Sequence, residues 1–110
     1  MPKLRESTTA VIVRGERVGD GFASEPYEVG WASEAVIFLQ GMDTGAPGVV
    51  HVQISPDGMH WADEGTDLAL PDEGEVAFGR IANFGNWLRL RAGFSQGGER
   101  RLMATLHLKG

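Results

Sequence analysis

One stretch, Val49 to Trp61 (VVHVQISPDGMHW), constrains the fold of this chain more than any other. Val50, Val52 and Ile54 alternate with His51, Gln53 and Ser55, the two-residue period of a strand with one buried face. Ser55-Pro56-Asp57-Gly58 then reads as a tight turn. Pro56 presets φ at the second turn position, Asp57 suits the third, and Gly58 can take the positive φ that closes it. Trp61 follows as a large apolar anchor. Strand, turn and anchor together predict a β-hairpin.

The flanking sequence extends the pattern. Thr8 to Arg14 is rich in β-branched residues and predicts a strand ended by Gly15. Gly19-Asp20-Gly21 predicts a turn or bulge, and Tyr27, Val29 and Trp31 a short strand. Ala35 to Leu39 (AVIFL) is apolar on both faces, so it predicts a strand covered on both sides, although a buried helical turn has the same pattern. In a two-layer sandwich the core covers only one of those faces. The other needs a loop, the N-terminal arm or another subunit. Ala62 to Thr66 reads as an acidic connection, and Asp67 to Leu70 and Glu75 to Ile81 read as strands. Trp87 to Ala92 alternates, with Leu88, Leu90 and Ala92 in and Trp87, Arg89 and Arg91 out. Arg101 to Leu108 alternates too, with Leu102, Ala104, Leu106 and Leu108 in and Met103, Thr105 and His107 out.

About eight short strands recur at spacings of roughly 10 to 12 residues, the rhythm of a β-sandwich or jelly roll. No segment carries a helical stripe with a capping box. The expectation is an all-β protein: one antiparallel, jelly-roll-like β-sandwich over residues 8–110, preceded by a polar N-terminal arm over residues 1–7. At 110 residues the chain suits one domain and can bury roughly 65% of its unfolded surface.

Composition narrows the function. The net charge of −5 argues against a nucleic-acid binder, which carries a basic face. No apolar run approaches a membrane span, and MPKLREST lacks the apolar core of a secretory signal. The expectation is therefore synthesis in the cytoplasm, with a virion as a final location. The absence of cysteine removes disulfides and thiolate metal sites.

Each candidate for chemistry has a plainer reading. Asp43-Thr44-Gly45-Ala46 resembles the signature of aspartic proteases, and Phe78-Gly79-Arg80 their late hydrophobic-Gly-Arg segment. Too few residues separate them to hold a flap and the intervening strands, and a polar loop explains the tetrapeptide. Acidic residues cluster at Asp57 to Asp67 and Asp72 to Glu75, without a calcium-loop spacing. His51, His60 and His107 have no zinc spacing, and no Gly-x-Ser-x-Gly elbow occurs. No catalytic residue, cofactor or metal is expected, and the chain reads as a non-enzyme. The outward stripe Trp87, Arg89 and Arg91, with Met103 and His107 on a neighbouring strand, is the candidate partner-binding surface, because Trp and Arg dominate binding hot spots. Its plainer reading has Trp87 packed under a loop with arginine stems over it.

Ser55-Pro56-Asp57-Gly58-Met59-His60-Trp61, followed by Phe84-Gly85-Asn86-Trp87-Leu88-Arg89-Leu90, resembles a pattern of discoidin-type, galactose-binding-like β-sandwiches. Small virion and tail accessory proteins of bacteriophages carry similar hairpins. The resemblance covers about 40 residues, much of it turn chemistry. It implies a β-sandwich. On the phage side it implies a structural subunit that self-associates or decorates a capsid or tail; on the discoidin side, a carbohydrate- or ligand-binding module. The leading expectation is the structural subunit, with a homo-oligomer or larger protein assembly as partner and a glycan as the alternative.

Overall fold

The structure, a computed structural model, describes residues 7–82 and 84–110. The expected arm over residues 1–7 lies outside the described residues except for Ser7, which opens the first strand. The chain forms β1 (Ser7–Gly19), β2 (Tyr27–Glu28), β3 (Glu34–Gly41), β4 (Val49–Ser55), β5 (Ala62–Ala69), β6 (Val76–Ala82), β7 (Trp87–Gly93) and β8 (Glu99–Lys109). One sheet has the order β1-β8-β3-β6 and the other β2-β7-β4-β5. Every ladder is antiparallel.

The pairing follows from one operation. β4 and β5 form the expected hairpin, and outside it β3 pairs β6, β2 pairs β7, and β1 pairs β8. A long hairpin has been rolled so that alternate pairs fall into opposite layers. This is the jelly-roll arrangement.

The core lies between the layers. Val13, Val18, Ile37, Leu39 and Leu106 fill it from one sheet and Val50, Val52, Leu88 and Leu90 from the other. The inward sets expected on β7 and β8 are all buried. Each large aliphatic side chain removed from water contributes about 1.5–3 kcal/mol.

Three local expectations change. Gly15 does not end β1. It takes φ 70° at a register shift between Arg14 and Glu16, and the strand runs on to Gly19. A second shift falls between Val11 and Val13. These bulges break the two-residue period, so the far half of the strand loses its signature. The acidic segment from Ala62 is not a connection but the first half of β5, where Gly65 at φ 114° sits in a bulge between the His51–Asp67 and Gln53–Asp63 pairs. Between β2 and β3, Val29 is buried but lies past the end of β2, whose ladder covers only Tyr27 and Glu28.

Leu106 lies at the middle of the core on β8, fully buried, and β8 is flanked by both β1 and β3. Leu106→Ala is expected to lower stability by about 2–5 kcal/mol in chemical denaturation, with no change in the denaturant slope.

Candidate interaction site

The sandwich has two outer faces, and the expected surface residues divide between them. Trp87, Arg89 and Arg91 point outward from β7, whose neighbours are β2 and β4. Met103 and His107 point outward from β8, whose neighbours are β1 and β3. β7 and β8 are consecutive in sequence, but the roll places them in opposite layers. The five residues therefore cannot form one surface. For the same reason His51 on β4 and His107 on β8 face away from each other rather than sharing a face.

On the β7 face Arg89, Gln53 and His51 are engaged. Arg89 Nε donates to Gln53 Oε1 at 2.8 Å, and Gln53 Nε2 donates to Asp63 Oδ1 at 2.9 Å. The Arg89 guanidinium stacks on the ring of Trp61, 4.3 Å from its centroid. Burial, with the like charge of Arg91, lowers its proton affinity from the ordinary arginine value. His51 Nδ1 lies 2.7 Å from Asp67 Oδ1. Trp87 lies under the Ser55–Gly58 turn: a Cβ on Gly58 would stand 3.4 Å from the indole. That position needs a glycine for its φ of 81°, while the indole beneath it stands at ordinary packing distance. The plainer reading of Trp87 holds, except that the arginine covers Trp61 instead.

The turn is knit by its own side chains. Ser55 Oγ accepts from the amides of Asp57 and Gly58, and Asp57 Oδ1 accepts from those of Met59 and His60. His60 Nδ1 lies 2.6 Å from Asp57 Oδ2. The His60 amide, the His60 ring and the Met59 amide hold the Asp57 carboxyl far below the usual carboxylate range.

On the opposite face the side chains of β3, β6 and β8 build an apolar row. Phe38 pairs across the sheet with Phe78 on one side and Thr105 on the other. The Phe38 and Phe78 rings are 6.0 Å apart, and the His107 ring meets Phe38 edge-on at 5.1 Å. Arg80 lies over Phe78 at 5.2 Å. Val36 lies beside Phe38 along β3, and Val76 and Met103 flank Gln40 on the same face. Phe78 is 50% exposed and Val76 58%. The doubly apolar Ala35 to Leu39 thus has a definite meaning. Ala35, Ile37 and Leu39 enter the core, while Val36 and Phe38 look outward with partial cover from the flanking strands.

The protease-like loop has a structural assignment. Arg100, only 3% exposed, reaches from β8 into the Asp43–Ala46 loop. Its Nε donates to Asp43 Oδ1 at 2.9 Å, and its terminal nitrogens donate to the carbonyls of Asp43, Ala46 and Pro71. The Asp43 carboxylate also accepts from the Arg101 amide. The Arg100 hydrogen bond leads in lowering the Asp43 pKa. Sequence reasoning missed Arg100, although the signal was present: the inward set Leu102, Ala104, Leu106 and Leu108 extends back two residues to it. Among the described residues, no three His, Asp or Glu side chains converge on a metal position.

No family model and no curated protein matches the sequence. The fold is nonetheless similar to solved structures. The SPBc2 prophage-derived protein YomS superposes with a TM-score of 0.67 at 10% identity, over 100% of this chain and 98% of that one. A chain of infectious bursal disease virus, Gx strain, superposes with a TM-score of 0.53 at 11% identity. It covers 97% of this chain, which spans about a third of the viral one, 32%. At such identities the likeness establishes the fold.

Two predictions concern the loops. Arg100→Ala removes the donor shared by three carbonyls and is expected to cost about 2–3 kcal/mol in denaturation. The second concerns acid. Asp57 and Asp43 have folded pKa values below their unfolded ones, so the unfolded chain takes up protons first as pH falls. Their contribution is full above the unfolded aspartate value near pH 4 and is lost progressively below it. Thermal unfolding followed from pH 6 to about pH 2 should show a shallower acid decline in Asp57→Asn than in the parent.

Proposed function

We propose that this protein is a non-enzymatic structural subunit of a phage or virus particle, which associates with copies of itself or seats on a larger protein shell. The observation that carries the reading is the outer face of the β1-β8-β3-β6 sheet. It presents the paired Phe38 and Phe78, with Val36, Val76 and Met103 on the same face, and Val76 and Phe78 are at least half exposed. An apolar row of this kind on a small domain marks a protein interface. The jelly-roll fold and its likeness to a prophage-derived protein support the same reading.

The other face supports it by contrast. A sugar-binding surface needs an open aromatic platform. Here Trp87 lies beneath a turn and Trp61 beneath Arg89, so the tryptophans that motivated a carbohydrate reading are employed in packing. Asp43, the one residue with a protease-like context, serves as the counterion of Arg100.

The test is the absolute mass in solution, by light scattering across a concentration range. A stable oligomer is the expected result. A monomer at every concentration would sink the self-associating form of the reading. Phe78→Ser, on the exposed row, is expected to shift the oligomer toward monomer while leaving the fold intact by circular dichroism.

A further inference from the structure

Each sheet has two edges, and three of the four are guarded. β5 carries Asp63, Glu64 and Asp67 and a bulge at Gly65. β1 has two register shifts and the charged run Arg14 to Arg17. β2 is two residues long and follows Pro26. Acidic side chains, bulges, shortness and proline are the devices that stop strands from pairing with other chains. β6, VAFGRIA, has none of them. It is straight in register over its whole length against β3, carries one charge, and holds the most exposed apolar side chains on its face.

The register shows which backbone groups of β6 are free. Gly41 donates its amide to the carbonyl of Glu75 at 3.1 Å, in line with the pairing of Gln40 and Val76. Antiparallel bonding alternates, so the amides and carbonyls of Ala77, Gly79 and Ile81 turn toward β3. Those of Val76, Phe78, Arg80 and Ala82 turn toward the open edge. β5, in the other layer, packs Thr66 and Leu68 against Gly79, 3.2 Å from where a Cβ would stand, and forms no ladder with β6.

We propose that β6 is the edge through which two copies of this chain join, antiparallel, about a two-fold axis at Gly79. This rests on the structural-subunit reading and specifies its contact. The strand is complementary to itself in that register. Phe78 of one copy lies opposite Arg80 of the other, twice, and Val76 opposite Ala82, so the outward-turned backbone groups pair with one another. Arg80 already stacks on Phe78 within one chain at 5.2 Å, and the two-fold offers it the partner's ring as well. Centring the axis on Arg80 would instead oppose two like charges. Charge also favours the antiparallel arrangement: the acidic approach Asp72, Glu73 and Glu75 of one copy lies alongside the Arg80 end of the other. The result is a continuous eight-stranded sheet with the Phe38–Phe78 row running across it.

The absence of cysteine makes the register testable. Phe78→Cys and Arg80→Cys are made as separate full-length proteins. Opposed residues in such a pair stand about 5.5 Å apart at Cα, within disulfide reach. On mild oxidation the mixture is expected to yield a covalent heterodimer, faster than either variant alone yields a homodimer. Arg80→Pro is the second arm. Its amide faces the open edge, so proline removes no bond to β3, and the fold is expected to survive by thermal unfolding. Self-association measured by light scattering should weaken about 10- to 100-fold. A parent oligomer whose affinity Arg80→Pro leaves unchanged, with no preferred heterodimer, would overturn this edge and leave the structural-subunit reading standing. A parent that is monomeric throughout would overturn this edge and the self-associating form of the structural-subunit reading. A parent monomer that binds an isolated shell protein through β6 would overturn the second copy as occupant.

Discussion

A strand has amides and carbonyls on both edges, and burial makes it costly to leave either edge unpaired. This chain meets that constraint with one reversal. The loop from Pro56 to Trp61 doubles the chain back, and every other ladder is nested around that hairpin. The two sheets, the position of the core and the separation of the outer faces all follow from the nesting. The turn is heavily determined by local chemistry. Its serine and aspartate satisfy four backbone amides between them, and its glycine rests on Trp87 of the neighbouring strand β7. A local device thus sets a non-local topology. Strand pairs such as β1 with β8 can form only after most of the chain has been closed into a loop, which predisposes such folds to slow folding.

The strands with one buried face were readable because their period survives intact. Leu88, Leu90 and Ala92 alternate with charged or aromatic residues, and Leu102 to Leu108 alternate without interruption. Where the period breaks, the reading fails. β1 crosses two bulges, and β5 is an exposed edge strand whose acidic side chains have no buried face to contrast with. The far half of β1 and the first half of β5 look like loops to a pattern argument, although bulge and edge are themselves ways of building a sheet. The assignment of strands to layers was not legible either. Hairpin neighbours usually share a sheet, so β7 and β8 were expected side by side, and the roll sends them apart.

The candidate surface was legible in its residue types more than in its location. Trp and Arg drew attention to β7, yet there they serve a packed network with Gln53, Asp63 and Trp61. The better clue was quieter. Ala35 to Leu39 is apolar on a face that a two-layer sandwich does not cover, and the structure turns that face toward Phe78 and solvent. Arg100 carries a parallel lesson. A charged residue at an inward position of a clean alternation marks a buried hydrogen-bonding centre, here one that ties the loops before β4 and before β6 to β8.

The outermost ladder has one further consequence. Ser7 at the start of β1 stands opposite Lys109 at the end of β8. The two ends of the described fold therefore meet at one pole of the sandwich, a few ångströms apart across a single ladder. A short peptide could weld them into a ring without disturbing a strand. The ring could then be cut at the glycine-rich connection between β7 and β8, where Gly97 and Gly98 both take positive φ outside any ladder. In the rewired chain β8 would come first, leading directly into β1. Every spatial neighbour would be kept, but the last ladder to close would become a local hairpin. The shape of this molecule and the route by which it is reached are thus separable properties.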